Sequence, residues 1–408
     1  MNRFLLLTLL ILAACGRDRE QHPQQFSYHP RFADIAVNPA RLDRVDSLLQ
    51  DYVDRGVIPH ALTFVAKEGQ VIHHKAFGWR DVEKRVPLQK DDIFRMYSQT
   101  KAITTIALLT LFEQGKFQLD DPVSNYLPEM TDRVLNTPTG DTATHRATTP
   151  VLIRHLLAHT AGINDAGIQW QDYETLEDLV KATVRQPLLY EPGSSWNYHP
   201  SADVWAYLVE YFSGQPLQEY LREAVLEPLG IKDMAYYYDP ALAERFVTIY
   251  REQNGQLTPA PDMWSGKYPF SNDQRFAQGG TGLNGTIEGY ARFCQMILNG
   301  GTFNGQRVLG RRTVEIMAKD QFTPEASAIL NFRFGLGFHV YSGASDRWDV
   351  IRGGSPLVSP GALSWGGMGN TDYIIDPAEN MIVLLYTNRV PDTKVWEKFL
   401  NTVYQALE

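Results

Sequence analysis

Phe94-Arg-Met-Tyr-Ser98-Gln-Thr-Lys101-Ala-Ile-Thr-Thr-Ile-Ala-Leu108 is the stretch on which the reading of this chain turns. Ser98 falls where a helix begins, and Lys101 stands three residues on. Positions i and i+3 of a helix are surface neighbours, so the ammonium can reach the hydroxyl. A helix start also carries unpaired backbone N–H groups at the positive end of the dipole, which suits a developing oxyanion. Ser98 is therefore a candidate nucleophile with Lys101 as its base or electrostatic partner, in the only Ser-x-x-Lys of the chain. The plainer alternative is an N-cap serine followed by an ordinary first-turn lysine. Against it, Ile103, Ile106, Ala107, Leu109 and Thr110 would bury this helix, and a lysine there is hard to explain as a solvated charge.

Working outward, a lysine-activated serine needs a second proton carrier. Glu191-Pro-Gly-Ser-Ser-Trp-Asn-Tyr198-His-Pro-Ser supplies Tyr198, one of 20 tyrosines, on a loop leading into a helical pattern over 201–213. A third element is Ser364-Trp365-Gly366-Gly367-Met368, where glycines in a strand let another backbone, an extended substrate or an oxyanion approach closely. Read alone, it is equally a bulge or a sheet edge.

Together these three elements resemble the serine β-lactamase and penicillin-binding-protein superfamily, in its class C-like branch, with the family VIII carboxylesterases most similar and the D-stereospecific peptidases related. The resemblance runs from about residue 42 to 405 and is supported by Phe77-Gly78-Trp79, Leu119-Asp-Asp-Pro-Val123, Ile153-Arg-His-Leu-Leu-Ala-His-Thr-Ala-Gly162, Glu227-Pro-Leu-Gly-Ile-Lys-Asp233, Gly279-Gly-Thr-Gly-Leu283 and Ile375-Asp-Pro-Ala-Glu-Asn380. It implies that Ser98 is the acylated nucleophile, Lys101 its activating partner and Tyr198 a proton shuttle. It implies further that Trp365, Gly366 and Gly367 line the substrate, with the backbone N–H groups of Ser98 and Met368 as the oxyanion hole. Whether Lys101 or Tyr198 takes the first proton is left open.

Two departures shape the expected function. The family's third motif usually reads Lys-Thr-Gly, whose cation binds a substrate carboxylate; Trp365-Gly366-Gly367 offers an apolar aromatic wall instead. The second motif usually ends in Asn, or sometimes Ser, where this chain has Pro200, with no amide side chain and no backbone N–H. Both favour a serine hydrolase acting on a small neutral ester or acyl substrate through an acyl-enzyme. The alternatives are a β-lactamase or D-alanyl peptidase acting on peptidoglycan-like substrates, and a non-catalytic envelope protein that keeps the fold.

The remaining sequence sets the frame. With 408 residues, 44% hydrophobic and 21% charged, the composition is that of a globular protein rather than a disordered or coiled-coil chain. A net charge of −9 argues against a nucleic-acid partner. Asn2-Arg3 followed by the apolar run Phe4–Ala14 reads as an export signal (residues 1–14), too short to span a bilayer. Leu12-Ala-Ala-Cys15 resembles a bacterial lipobox, so Cys15 would carry a lipid anchor to the membrane, with Gly16 favouring the periplasmic face of the outer membrane; the alternative is a plain signal peptide with an incidental cysteine. Residues 15–38, polar and with little periodicity, read as a tether.

An amphipathic helix follows around Leu42–Val53, then a hairpin of Ala61–Lys67 and Gln70–Phe77 turned at Glu68-Gly69. Helices are expected near 151–158, 175–184, 201–213 and 216–228, strands over Gly335–Tyr341, Ala362–Trp365, Tyr373–Asp376 and Met381–Thr387, and a closing helix over 391–407. The fold class is therefore α+β: an antiparallel sheet built from both chain ends (39–125 and 271–408), flanked by helices, with a mainly helical insertion (126–270). No cofactor and no metal are expected. His73-His74 and His155/His159 read as structural, Asp91-Asp92 and Asp120-Asp121 as capping and turn residues, and Cys294 as a small core residue. Gly280-Thr-Gly-Leu-Asn-Gly285 has dinucleotide-motif spacing but lacks a βαβ context, and no Gly-x-Ser-x-Gly occurs.

Overall fold

The computed structural model describes residues 22–136, 145–198, 200–261, 263, 268–270, 275–343 and 355–408. The expected export signal and Cys15 lie outside them. Nine strands form one antiparallel sheet: β1 His60–Lys67, β2 Gln70–His73, β3 Ala76–Asp81, β4 Val86–Pro87, β5 Arg333–Phe334, β6 His339–Val340, β7 Leu363–Gly367, β8 Thr371–Asp376 and β9 Met381–Tyr386. Their order is β5-β6-β7-β8-β9-β1-β3-β4, with β2 also on β1. The two ends of the chain meet at the β1–β9 seam, in register from Leu62 opposite Tyr386 to Lys67 opposite Met381.

Both seam strands are buried along their whole length, because each face of the sheet is covered. Val65, Val383 and Leu385 pack beneath helices α1 (Arg44–Asp54) and α8 (Val395–Tyr404). Phe64, Leu384 and Tyr386 point the other way, into a larger core shared with α2 (Thr100–Glu113) and α7 (Ile287–Leu298). The insertion supplies α3 (Ile153–Leu157), α4 (Leu176–Arg185), α5 (Ser201–Ser213) and α6 (Leu217–Leu221) to that same core, so sheet and helices bury one continuous apolar interior.

The Glu68-Gly69 turn has φ of 52° and 72°, the paired positive values of a tight hairpin. Two expected strands are corrected. The strand read as Gln70–Phe77 breaks into β2 and β3, because Thr63 on β1 engages Lys75 through its side chain and accepts the Lys75 N–H at 3.2 Å. The strand read as Gly335–Tyr341 is two short strands folded back through a turn in which Gly337 has φ 77°. Within 126–270 a hairpin, Tyr250–Gln253 with Gln256–Pro259, interrupts the helices and takes Arg389–Val390 as a parallel neighbour.

Residues 22–38, read as tether, lie along the domain instead. Phe26 packs 4.9 Å from Phe64 and 5.2 Å from Phe303. Ile35 and Val37 are buried, and Asn38 donates its N–H to Ala406 at 2.8 Å. The stretch is polar on average, but its few apolar side chains fall where the core has room for them.

Two histidines, His60 and His155, are buried in their neutral form, and His74 is half-buried. Burial pushes His60, His74 and His155 down to about 4, and His155 Nδ1 accepts the Leu152 N–H at 3.2 Å. In the unfolded chain each would bind a proton near pH 6.5. Stability is therefore level above about pH 6.5 and falls as the pH drops from there towards 4, with His60 alone withdrawing up to about 3 kcal/mol. Calorimetric unfolding is expected to show the midpoint steady from pH 8 to 7 and falling between pH 6 and 4.

Candidate active site

Helix α2 is buried on nearly every face from Thr100 to Leu111, so it runs through the interior rather than along a surface. A single 3-10 turn, Tyr97–Gln99, leads into it. Gln99 anchors that turn to the sheet: its Nε2 donates to Thr371 O at 3.0 Å, and its Oε1 accepts from Tyr386 Oη at 2.7 Å. Its own carbonyl accepts from Tyr290 Oη at 3.1 Å. Tyr97 adopts φ 47°, a left-handed conformation unusual for a bulky residue and one that costs free energy. The side chain of Tyr97 is held in a small apolar cluster with Ile249, Met263 and Met368. Ser98 is thus presented, half-buried, on a turn fixed from both sides.

Lys101 is 1% exposed. Its Nζ donates to Ser98 Oγ at 3.3 Å and to Gly280 O at 2.8 Å, and it lies 4.6 Å from the centre of the Tyr198 ring. Tyr198 Oη accepts from Trp365 Nε1 at 3.1 Å, with the two rings 5.0 Å apart. Ser98, Lys101, Tyr198 and Trp365, spread over more than 260 positions of the sequence, therefore share one cluster. Pro200 stands immediately before α5, at its N-cap.

Gly366 and Gly367 end β7, opposite Asp372 and Thr371 of β8. A Cβ on Gly367 would fall 2.3 Å from Met96 O and 2.3 Å from Thr371 Oγ1, so only glycine lets the strand come this close to the turn that carries Ser98. Met368 follows directly and packs beside Tyr97. The two backbone segments expected to form the oxyanion hole are thereby neighbours.

Several residues of the cluster carry no motif. Trp196 stacks on Tyr198 at 5.8 Å, His159 lies 5.0 Å from Tyr198, and Phe334 meets Trp365 edge-on at 5.4 Å. These rings make a continuous aromatic wall on the side where a lysine of the third motif would stand. Asp203, in the first turn of α5, accepts the Gly279 N–H at 2.9 Å. Burial raises its carboxyl above the ordinary range, while the Gly279 N–H and the Lys101 charge pull the other way. Nothing in the sequence sets Trp196 or Asp203 apart as part of the site.

Other singled-out residues lie elsewhere. His73 bonds Thr63 Oγ1 at 2.7 Å and Asp46 at 2.9 Å on the far side of the sheet, and Cys294 is buried in α7. The glycines of 280–285 cross behind Lys101 and into the two-residue pairing of Asn284–Gly285 with Phe94–Arg95, not into a phosphate-binding turn. Asp92 is paired with Arg80, and Asp120 with Arg154.

The family model described as Beta-lactamase matches residues 45–399. Protein Rv1367c of Mycobacterium tuberculosis is 30% identical, over 87% of this chain and 92% of its own. Esterase EstB of Burkholderia gladioli is 29% identical, over 87% of this chain and 91% of its own. Among solved structures, EstCE1, described as a hydrolase with promiscuous acyltransferase activity, shares the fold with a TM-score of 0.74. That alignment covers 90% of this chain and 99% of EstCE1 at 24% identity.

Because a Cβ at residue 367 meets backbone, Gly367→Ala must push β7 off the Ser98 turn. The expected result is a folded variant whose Ser98 is labelled by a fluorophosphonate probe about a hundred-fold more slowly than in the wild type. Labelling at the wild-type rate would mean that the close approach has no bearing on the serine.

Proposed function

We propose that this chain, a serine hydrolase that belongs to the beta-lactamase family, hydrolyses carboxylic esters through an acyl-enzyme at Ser98. The observation that carries the reading is the Trp365 indole donating to Tyr198 Oη inside an aromatic wall. A cation at this position would attract a substrate carboxylate; an indole offers one N–H and a large apolar face, which fits a neutral acyl group. Pro200 removes a side-chain amide from the same cleft and weighs in the same direction. The kinship with a Burkholderia esterase supports it too.

The chemistry follows from the contacts. Ser98 Oγ attacks the ester carbonyl carbon while its proton passes to whichever member of the Lys101–Tyr198 pair is deprotonated, the free amine or the phenolate. The carbonyl oxygen takes the negative charge and is held by the N–H groups of Ser98 and Met368. Collapse of the tetrahedral adduct breaks the C–O bond, and the departing alkoxide recovers the proton from the same pair. Water then enters by the reverse route, attacks the acyl carbon and frees Ser98. An alcohol in place of that water gives acyl transfer with no change in the first half of the cycle.

Hydrolysis of p-nitrophenyl esters of short acids is expected to exceed turnover of nitrocefin and of D-alanyl peptides by at least about a hundred-fold in kcat/KM. Ser98→Ala is expected to abolish both turnover and fluorophosphonate labelling. β-Lactam turnover above ester turnover would reverse the assignment in favour of a β-lactamase or D-peptidase.

The reading of Cys15 as a lipidated residue on the periplasmic face of the outer membrane belongs to the same proposal. Metabolic labelling with an alkyne fatty acid in a bacterial host should mark the wild type and not Cys15→Ala. Equal labelling of both would remove the anchor.

A further inference from the structure

A buried ammonium must have its protons held by acceptors, and whatever holds those acceptors determines where the amine sits. For Lys101 the main acceptor is Gly280 O at 2.8 Å. The backbone around it is gripped from the opposite side by Asp203. One carboxylate oxygen accepts the Gly279 N–H at 2.9 Å, and Gly280 follows directly in the chain. The fit leaves no slack, since a Cβ on Gly279 would lie 2.1 Å from Ala202 O and one on Gly280 would lie 3.1 Å from Lys101 Nζ. Thr104 Oγ1 ties Gly279 O to α2 at 3.1 Å, and Tyr236 Oη ties Gln278 O at 2.8 Å. A carboxylate on α5 and an ammonium on α2 thus face each other across two glycines.

We propose that Asp203 is a positioning residue for this reaction: as a carboxylate it clamps Gly279, holds the adjoining Gly280 carbonyl in place and thereby seats the Lys101 amine against Ser98. The inference rests on Ser98 and Lys101 being the reactive pair. A neutral acid would clamp less well, because an ionised acceptor makes roughly twice as strong a bond to backbone N–H as an uncharged one. The groups that face Asp203 are Lys101 from α2, Asp165 from the loop after α3, and Tyr236. Lys101 favours the carboxylate and Asp165 opposes it. The far side of the carboxyl borders a cavity of about 380 Å³, lined also by Asp165, Trp170 and Gln278, which gives the group room to exchange its proton. Burial raises the Asp203 carboxyl above the ordinary carboxylate range. The clamp is therefore complete only above that raised value and is lost as the pH falls through it, and ester turnover falls with it.

Asp203→Asn retains an acceptor oxygen and the shape of the side chain but cannot ionise. With p-nitrophenyl butyrate as substrate, it is expected to lower kcat on the upper plateau of the wild-type pH profile by about ten-fold, with KM within about two-fold. The inflection that the Asp203 carboxyl sets below that plateau is expected to vanish from its kcat profile. Asp203→Glu, which restores the charge, is expected to restore that inflection. An unchanged kcat in Asp203→Asn, a rise in KM alone, or an acid inflection that overlays the wild type would each overturn the clamp while leaving the esterase reading intact. A wild-type protein that neither turns over the ester nor takes up fluorophosphonate at Ser98 would overturn that reading, and this inference with it.

Discussion

A single amine inside an apolar helix is the constraint around which the rest is arranged. Nearly every residue of α2 is a core residue, and Lys101 lies among them with almost no contact with water. An ammonium in such a place is costly unless acceptors reach it. Those available are a backbone carbonyl, a serine hydroxyl and the face of a phenol ring. None of the three is an anion, so the lysine is satisfied without being neutralised by a direct salt bridge. Among the described residues, no direct ion pair therefore competes with the contact between the Lys101 amine and the Ser98 hydroxyl.

Bringing those acceptors together explains the topology. The hydroxyl comes from the start of α2, the carbonyl from the 279–283 loop, the phenol from the loop before α5, and the indole that orients the phenol from β7. The sheet closes at the β1–β9 seam only when both ends of the chain have folded, and β8 and β7 are laid down outward from that seam. Gln99 then ties the helix start to β8 and β9 together. The site is consequently a product of long-range closure: four elements far apart in sequence must be seated before the lysine has its partners.

This also accounts for what could be read beforehand. Strands β1, β8 and β9 were legible because their apolar runs are bounded by clear turns, and α2 because its apolar residues recur from Ile103 to Phe112 and Gly115 stops the helix. The break at His74-Lys75 was not, since it arises from a threonine side chain on the neighbouring strand. Ser98, Lys101, Tyr198 and Trp365 could be picked out by motif, but their mutual distances could not. Gln99 and Asp203 were invisible for a different reason. A glutamine at a helix start and an aspartate in a first turn look like surface residues or dipole-compensating charges. Only the positions of Thr371, Tyr386 and Gly279 turn them into interior fastenings. Residues 22–38 were misread in the same way, since average polarity says little about where one phenylalanine lands.

The exchange of a cation for an indole at residue 365 has a consequence beyond substrate charge. An indole nitrogen can only donate a hydrogen bond, so the Tyr198 oxygen must be the acceptor towards it. The Tyr198 oxygen is thereby fixed as an acceptor on its β7 side. A lysine at the same place would also donate, but it would bring a full positive charge into the cleft. Trp365 keeps the orientation and omits the charge, while its ring continues the wall formed by Phe334, Trp196 and His159. Orientation of the Tyr198 oxygen is thereby separated from any contact with a substrate carboxylate: the indole provides the first and brings no charge for the second. On the proposed ester reading, a neutral acyl group enters such a cleft without stripping water from a charge of its own, whereas a carboxylate-bearing one would have to give up hydration with no cation to replace it.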